Sequence, residues 1–80
     1  MRLPRDMDAA SLTKALARLG YAVTRQTGSH IRLTLNIPQQ HHITVPNHAP
    51  IKVGTLNAIL NDVAKHHRMS RDELLRRIFD

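Results

Sequence analysis

The sequence predicts an α+β fold in which a three-stranded antiparallel meander carries helices on one face only. Three observations predict it. Apolar residues recur at helical spacing near both ends of the chain, and in the middle they alternate at period two. The alternating runs are joined by connections too short for anything but antiparallel neighbours. The expected order is helix, three strands, helix, short helix.

The first helix runs from Asp8 to Leu19, where Ala9, Leu12, Ala15, Leu16 and Leu19 make one stripe. Asp8 is placed as its N-cap and Gly20 as the C′ residue. Tyr21 to Thr27 reads as the first strand, ended by Gly28. Ser29 to Ile37 is the second, and the turn Pro38-Gln39-Gln40 leads to the third, His41 to Val45. Pro46 and Pro50 then bracket a loop, since proline lacks a backbone donor and fits neither strand nor helix interior. The second long helix starts at Val53 and aligns Val53, Leu56, Ile59, Leu60 and Val63. A final segment opens with the capping-box pattern Ser70-Arg71-Asp72-Glu73 and continues through Leu74, Leu75, Ile78 and Phe79.

Each long helix has a single apolar face, so both are expected on the same side of the sheet. On the second strand Ile31, Leu33, Leu35 and Ile37 then face the helices, and His30, Arg32, Thr34 and Asn36 face water. On the third, Ile43 and Val45 point inward, His42 and Thr44 outward. Pattern alone does not fix the register, because a slip of one residue exchanges the faces.

At 80 residues the chain is expected to form one domain spanning 1–80, near the lower size limit for a self-sufficient core. It has no cysteine, no apolar run long enough to span a membrane, and no apolar leader in MRLPRDMD. These features predict a cytoplasmic protein. Twelve Lys and Arg against six Asp and Glu give a formal charge of +6. Either the excess serves solubility, or it serves a polyanionic partner such as nucleic acid or an acidic protein. Nine of the twelve are Arg, whose planar fork suits phosphate better than an ammonium does. Tyr21 and Phe79 are the only aromatics, which argues against rows of rings stacking on single strands.

Six histidines raise the question of a metal. Their spacing predicts none: His41 and His42 are adjacent on a strand and diverge, as do His66 and His67 at a helix end, and no H-E-x-x-H pattern occurs. His66 and His67 read as a solvated helix terminus favoured by the dipole. His30 differs, because it shares a strand face with Arg32. An imidazole titrates near ~6.5 and can take up and return a proton at neutral pH. Cleavage of RNA needs a base for the ribose 2′-OH, an acid for the leaving 5′-oxygen, and positive charge beside the phosphate. By spacing alone His30 and Arg32 suit those roles, or else form a solvated surface pair. No nucleophile elbow, P-loop or paired-carboxylate pattern competes, and Asp72 with Glu73 is explained by capping.

Four segments carry a family resemblance. Leu19-Gly20-Tyr21 closes the first helix and Gly28-Ser29-His30 opens the second strand. Val45-Pro46-Asn47-His48 follows the third strand, and Gly54-Thr55-Leu56-Asn57-Ala58-Ile59-Leu60 starts the second long helix. In that order the chain resembles the HicA toxins of toxin–antitoxin modules, small ribonucleases that cut messenger RNA. The resemblance implies a fold similar to a double-stranded-RNA-binding domain, catalysis by the GSH histidine, here His30, and no cofactor. It also implies a HicB-type antitoxin that covers this histidine, with DNA reached only indirectly through the antitoxin. Gly28 is expected to let the chain turn tightly before His30, and Gly54 to open the second long helix.

Arg32 is the first candidate for a phosphate contact, followed by Arg25, Lys14 and Arg18. His48, in the loop, either approaches the open sheet or hydrogen-bonds its own loop; the second reading is preferred. The second proton carrier stays open among His42, His48, water and His30 itself. SRDELLRRIFD extends past the minimal toxin core and is expected to pack on the end of the domain or contribute to antitoxin contact. Two other readings are an RNA-binding module without catalysis and an interaction protein whose basic face meets only its antitoxin.

Overall fold

The computed structural model describes residues 6–79. Residues 1–5, read above for leader features, and Asp80 lie outside them. The elements are α1 (Ala9–Ala17), β1 (Ala22–Gln26), β2 (His30–Leu35), β3 (His41–Pro46), α2 (Val53–His66) and α3 (Arg71–Phe79). The strands form one antiparallel sheet in the order β1-β2-β3. The α-β-β-β-α order with a further helix is the one the sequence predicts.

Capping residues set the helix ends. The Asp8 carboxylate accepts the backbone N–H of Ser11 at 2.7 Å, and this bond holds its pKa below the usual 3.8. At the other end of α1, Tyr21 N–H donates to the Leu16 carbonyl and Gly20 N–H to that of Ala17. This is a Schellman pair, and Gly20 takes the required left-handed backbone at φ +101°. α2 closes with the same pair of bonds, from Met69 to Ala64 and Arg68 to Lys65, but there Arg68 carries the positive φ of 54°. The Ser70 hydroxyl accepts Glu73 N–H at 3.1 Å, which realises half of the capping box.

The core lies between the sheet and the helices. Leu12 and Leu16 of α1, Leu33 and Val45 of the sheet, Leu60 and Val63 of α2, and Leu74, Leu75 and Ile78 of α3 are fully buried. α3 is therefore part of the core, and Arg71 ties it to α2 through Asn57 and Asn61. Two expectations need correction. Ile37 is 81% exposed because β2 ends at Leu35, so the alternation outlasts the pairing that gave it meaning. Val53 is 68% exposed: as the first residue of α2 it lies one turn before the helix meets the core.

Register fixes the faces. His30 pairs with Pro46, Ile31 with Val45, Arg32 with Thr44, Leu33 with Ile43, and Thr34 with His42. Ile31, Leu33, Ile43 and Val45 are buried under the helices, so His30, Arg32, Thr44 and His42 belong to the face the helices leave open. β1 joins with an irregularity between Val23 and Arg25. Strict alternation from Val23, opposite inward Leu33, would turn Arg25 inward. The extra residue instead pairs Arg25 with Arg32 and brings both arginines to the open face.

Candidate functional site

His30 is exposed at the first position of β2. Its Nδ1 lies 3.0 Å from the hydroxyl of Ser29, which leaves Nε2 without a protein partner among the described residues. The segment before it is held from three sides. Thr27 N–H donates to the His30 carbonyl at 2.9 Å, Asn47 N–H donates to the Ser29 carbonyl at 2.9 Å, and Asn47 Nδ2 reaches the Gly28 carbonyl at 3.3 Å. Asn47 thus joins two of the resembling segments, GSH and VPNH, although 19 residues separate it from Gly28. The chain does turn tightly through Thr27, Gly28 and Ser29, between β1 and β2, but the turn does not draw on glycine's backbone freedom. Gly28 has no positive φ, and a Cβ there would meet nothing within 4 Å.

Along β2 the open face continues from His30 to Arg32 and Thr34. Arg25 flanks Arg32 on one side and Thr44 on the other. Two arginines directly opposite repel each other, and among the described residues no carboxylate pairs with either. The reason is visible in the sequence: no Asp or Glu occurs between Asp8 and Asp62, a stretch that contains the whole sheet. Beyond the arginines the surface closes up. Thr34, only 6% exposed, contacts the Thr24 hydroxyl at 2.8 Å and His42 Nδ1 at 2.9 Å.

The remaining candidates separate in space. His42 pairs opposite Thr34, four residues along β2 from His30, or ~13 Å at ~3.3 Å per strand residue. His48 lies at the His30 end. Its backbone ties the loop, with N–H to the Pro46 carbonyl and its own carbonyl accepting Ala9 N–H, while its ring makes no hydrogen bond among the described residues. The expectation that His48 hydrogen-bonds its own loop thus holds for its backbone and not for its ring. Lys14 on α1 and Arg18, the residue that caps it, are exposed and line a groove against Ile78 and Phe79 of α3. Lys14 also lines a second groove, between α1 and β1, with Gln26, Ile31 and Asn47. Arg18 is thus on the helical layer, apart from His30, whereas Lys14 reaches the edge nearest Asn47.

Sequence reasoning missed a polar cluster on the helix side. His41 points inward, where its ring stacks on His66 at a centroid distance of 4.1 Å. His41 Nε2 lies 3.3 Å from Asp62, its Nδ1 2.7 Å from the Tyr21 hydroxyl, and that hydroxyl 3.0 Å from His67 Nε2. With neutral rings one tautomer set satisfies every contact: His41 donates to Asp62, Tyr21 donates to His41, and His67 donates to Tyr21. His41 and His42 do diverge, as the spacing argued, but residues of β3, of the end of α2 and Tyr21 before β1 converge on the helix side. His66 and His67 are half-buried rather than a solvated end. Among the described residues no group of three or more His, Asp or Glu is placed to hold a metal ion.

Comparison with known families decides what this arrangement belongs to. A family model described as HicA toxin of bacterial toxin-antitoxin matches residues 9–65, more than half of the chain. The chain belongs to the HicA toxin family. The HicA match begins at the first residue of α1 and ends at Lys65 in α2, so it contains the entire open face and its histidines. α3 lies beyond the HicA match, yet supplies Leu74, Leu75 and Ile78 to the core. No curated protein and no solved structure matches the chain. Among the described residues no helix is long and apolar enough to cross a membrane.

Proposed function

We propose that the chain is the ribonuclease toxin of a type II toxin–antitoxin module, cutting messenger RNA in the cytoplasm without a metal cofactor and held inactive by a HicB-type antitoxin. One observation carries the reading. An exposed imidazole, fixed by Ser29 through one nitrogen, shares a sheet face with two arginines that no carboxylate among the described residues pairs, and the strands of that face contain no acidic residue.

In the proposed reaction His30 removes the proton of a ribose 2′-OH, and the 2′-oxygen attacks the adjacent phosphorus. The bond from phosphorus to the 5′-oxygen breaks, giving a 2′,3′-cyclic phosphate, and the departing oxygen takes up a proton. Arg32, with Arg25 opposite, meets the negative charge that gathers on the phosphate oxygens. His42 is ~13 Å along the sheet, too far to protonate the oxygen leaving at His30. That second transfer falls to His30 itself, to His48 or to water. An acidic antitoxin surface complements the same basic face by the charge logic that attracts RNA.

The test is purified protein and His30→Ala on naked RNA and on DNA of the same sequence, with EDTA present. Wild type is expected to cut RNA and leave DNA intact. His30→Ala is expected to lose about a hundredfold or more of the rate. If wild type binds RNA and leaves it whole, the protein is an RNA-binding module. Cutting that stops only with chelator would assign the chemistry to a metal.

A further inference from the structure

The open face holds a second feature that the cleavage chemistry leaves unused. Thr24, Thr34 and His42 form a hydrogen-bonded row across all three strands, with Thr34 almost fully buried at its centre. An exposed histidine needs no such support to remain in water. Here both threonine hydroxyls are committed to a line that ends on Nδ1 of His42, which restrains the ring while leaving it exposed and its Nε2 free of protein partners among the described residues.

Planar side chains are scarce on this face. Tyr21 is buried on the helix side and Phe79 belongs to α3, so among the described strand residues of this face His30, His42, Arg25 and Arg32 are those that offer a ring or guanidinium plane, with the His48 ring in the loop at the His30 end. Recognition of unpaired RNA relies on stacking its bases against aromatic rings, histidine included, or guanidinium planes. His30 is committed to proton transfer and the arginines to phosphate. His42 is the ring left over on the sheet, ~13 Å from His30, about four nucleotides of a stacked strand at ~3.4 Å each and fewer in an extended one.

We propose that His42 is a second RNA subsite, where the ring held by Thr34 and Thr24 stacks a base of single-stranded RNA a few nucleotides from the phosphate at His30. The inference rests on the RNA-cutting reading and deepens it: the substrate is an unpaired strand laid along β2, gripped at two points. His42 governs binding of longer RNA and takes no part in bond cleavage.

The experiment uses RNA oligonucleotides of two to eight nucleotides, with a single 2′-deoxy substitution at the cleaved position so that they bind without reacting. Wild type is expected to gain affinity abruptly once the strand spans both points. His42→Ala should lose that gain, by about tenfold, and His42→Phe should retain it because a ring remains. In unsubstituted protein the His42 ring resonances should shift with long oligonucleotides and not with dinucleotides. A gain that survives in His42→Ala overturns the subsite, and equal loss in His42→Phe overturns stacking. Should wild type cut no all-ribose RNA, the catalytic reading fails while the length step still decides the subsite. No binding at any length overturns both.

Discussion

Gly20 and Gly28 flank β1, and the two glycines answer to different constraints. Gly20 holds φ +101°, which demands glycine, and a Cβ there would also approach Leu35 Cδ1 to 3.1 Å, so that the leucine would have to give by a few tenths of an ångström. Gly28 has ordinary backbone and open space around the missing Cβ. Gly20→Ala is expected to cost about 1–2 kcal/mol, the penalty of a side chain in the left-handed region. Gly28→Ala should be neutral or stabilising by up to about 1 kcal/mol, through reduced freedom of the unfolded chain. If RNA passes close to the Gly28 backbone, Gly28→Ala is expected to weaken RNA binding without lowering the temperature of thermal unfolding. Unfolding at lower temperature would instead make glycine a requirement of the turn. The sequence motif was readable, but its physical reason was not, because φ and the space around a residue depend on the assembled fold.

Element by element, legibility followed periodicity. The stripes of α1, α2 and α3 and the alternation of β2 and β3 located both the core and the open face. Ile37 and Val53 misled for one reason: a pattern does not show where pairing or packing stops. The bulge that turns Arg25 outward and the cluster joining β3, α2 and Tyr21 were invisible because both arise from register and contact between distant segments. That cluster has a measurable consequence. Burial, then the neighbouring charges of His66, His41 and Arg77, push the His67 pKa below its ordinary 6.5. The unfolded chain then binds more protons than the folded one in this window, so stability falls as pH drops below 6.5 toward the folded value. Tyr21 is pushed up to about 12 by burial and by Asp62, so it retains its proton where the unfolded chain loses it. Stability should therefore also fall as pH rises from 10 toward 12. Urea midpoints measured across pH should show a plateau between these limits, and His67→Gln should flatten the acid side alone. An acid limb unchanged in that variant would assign the loss to other groups.

At the scale of the molecule, charge is layered. Every acidic residue among those described lies on a helix or at its entrance, and the sheet presents His30, Arg32, Arg25 and His42 with no carboxylate of its own. The layering gives a polyanion one face to prefer, and under the proposed function RNA and an acidic antitoxin would compete for it instead of binding together. If RNA lies along β2, the counterions released on binding come from phosphates beside Arg25 and Arg32. The logarithm of affinity against the logarithm of salt should then lose about 0.7 of slope for each arginine removed, the increment for one phosphate of a single strand. Arg18→Ala, on the helical layer, should leave the slope as it was, and Lys14→Ala, at the groove that includes Asn47, should change it only for RNA long enough to pass that edge. Anisotropy titrations of a labelled oligonucleotide at several salt concentrations separate these outcomes. Equal loss of slope in Arg18→Ala would mean that RNA wraps onto the helices, and the charged sheet would then be one part of a larger surface instead of the track that leads a strand to His30.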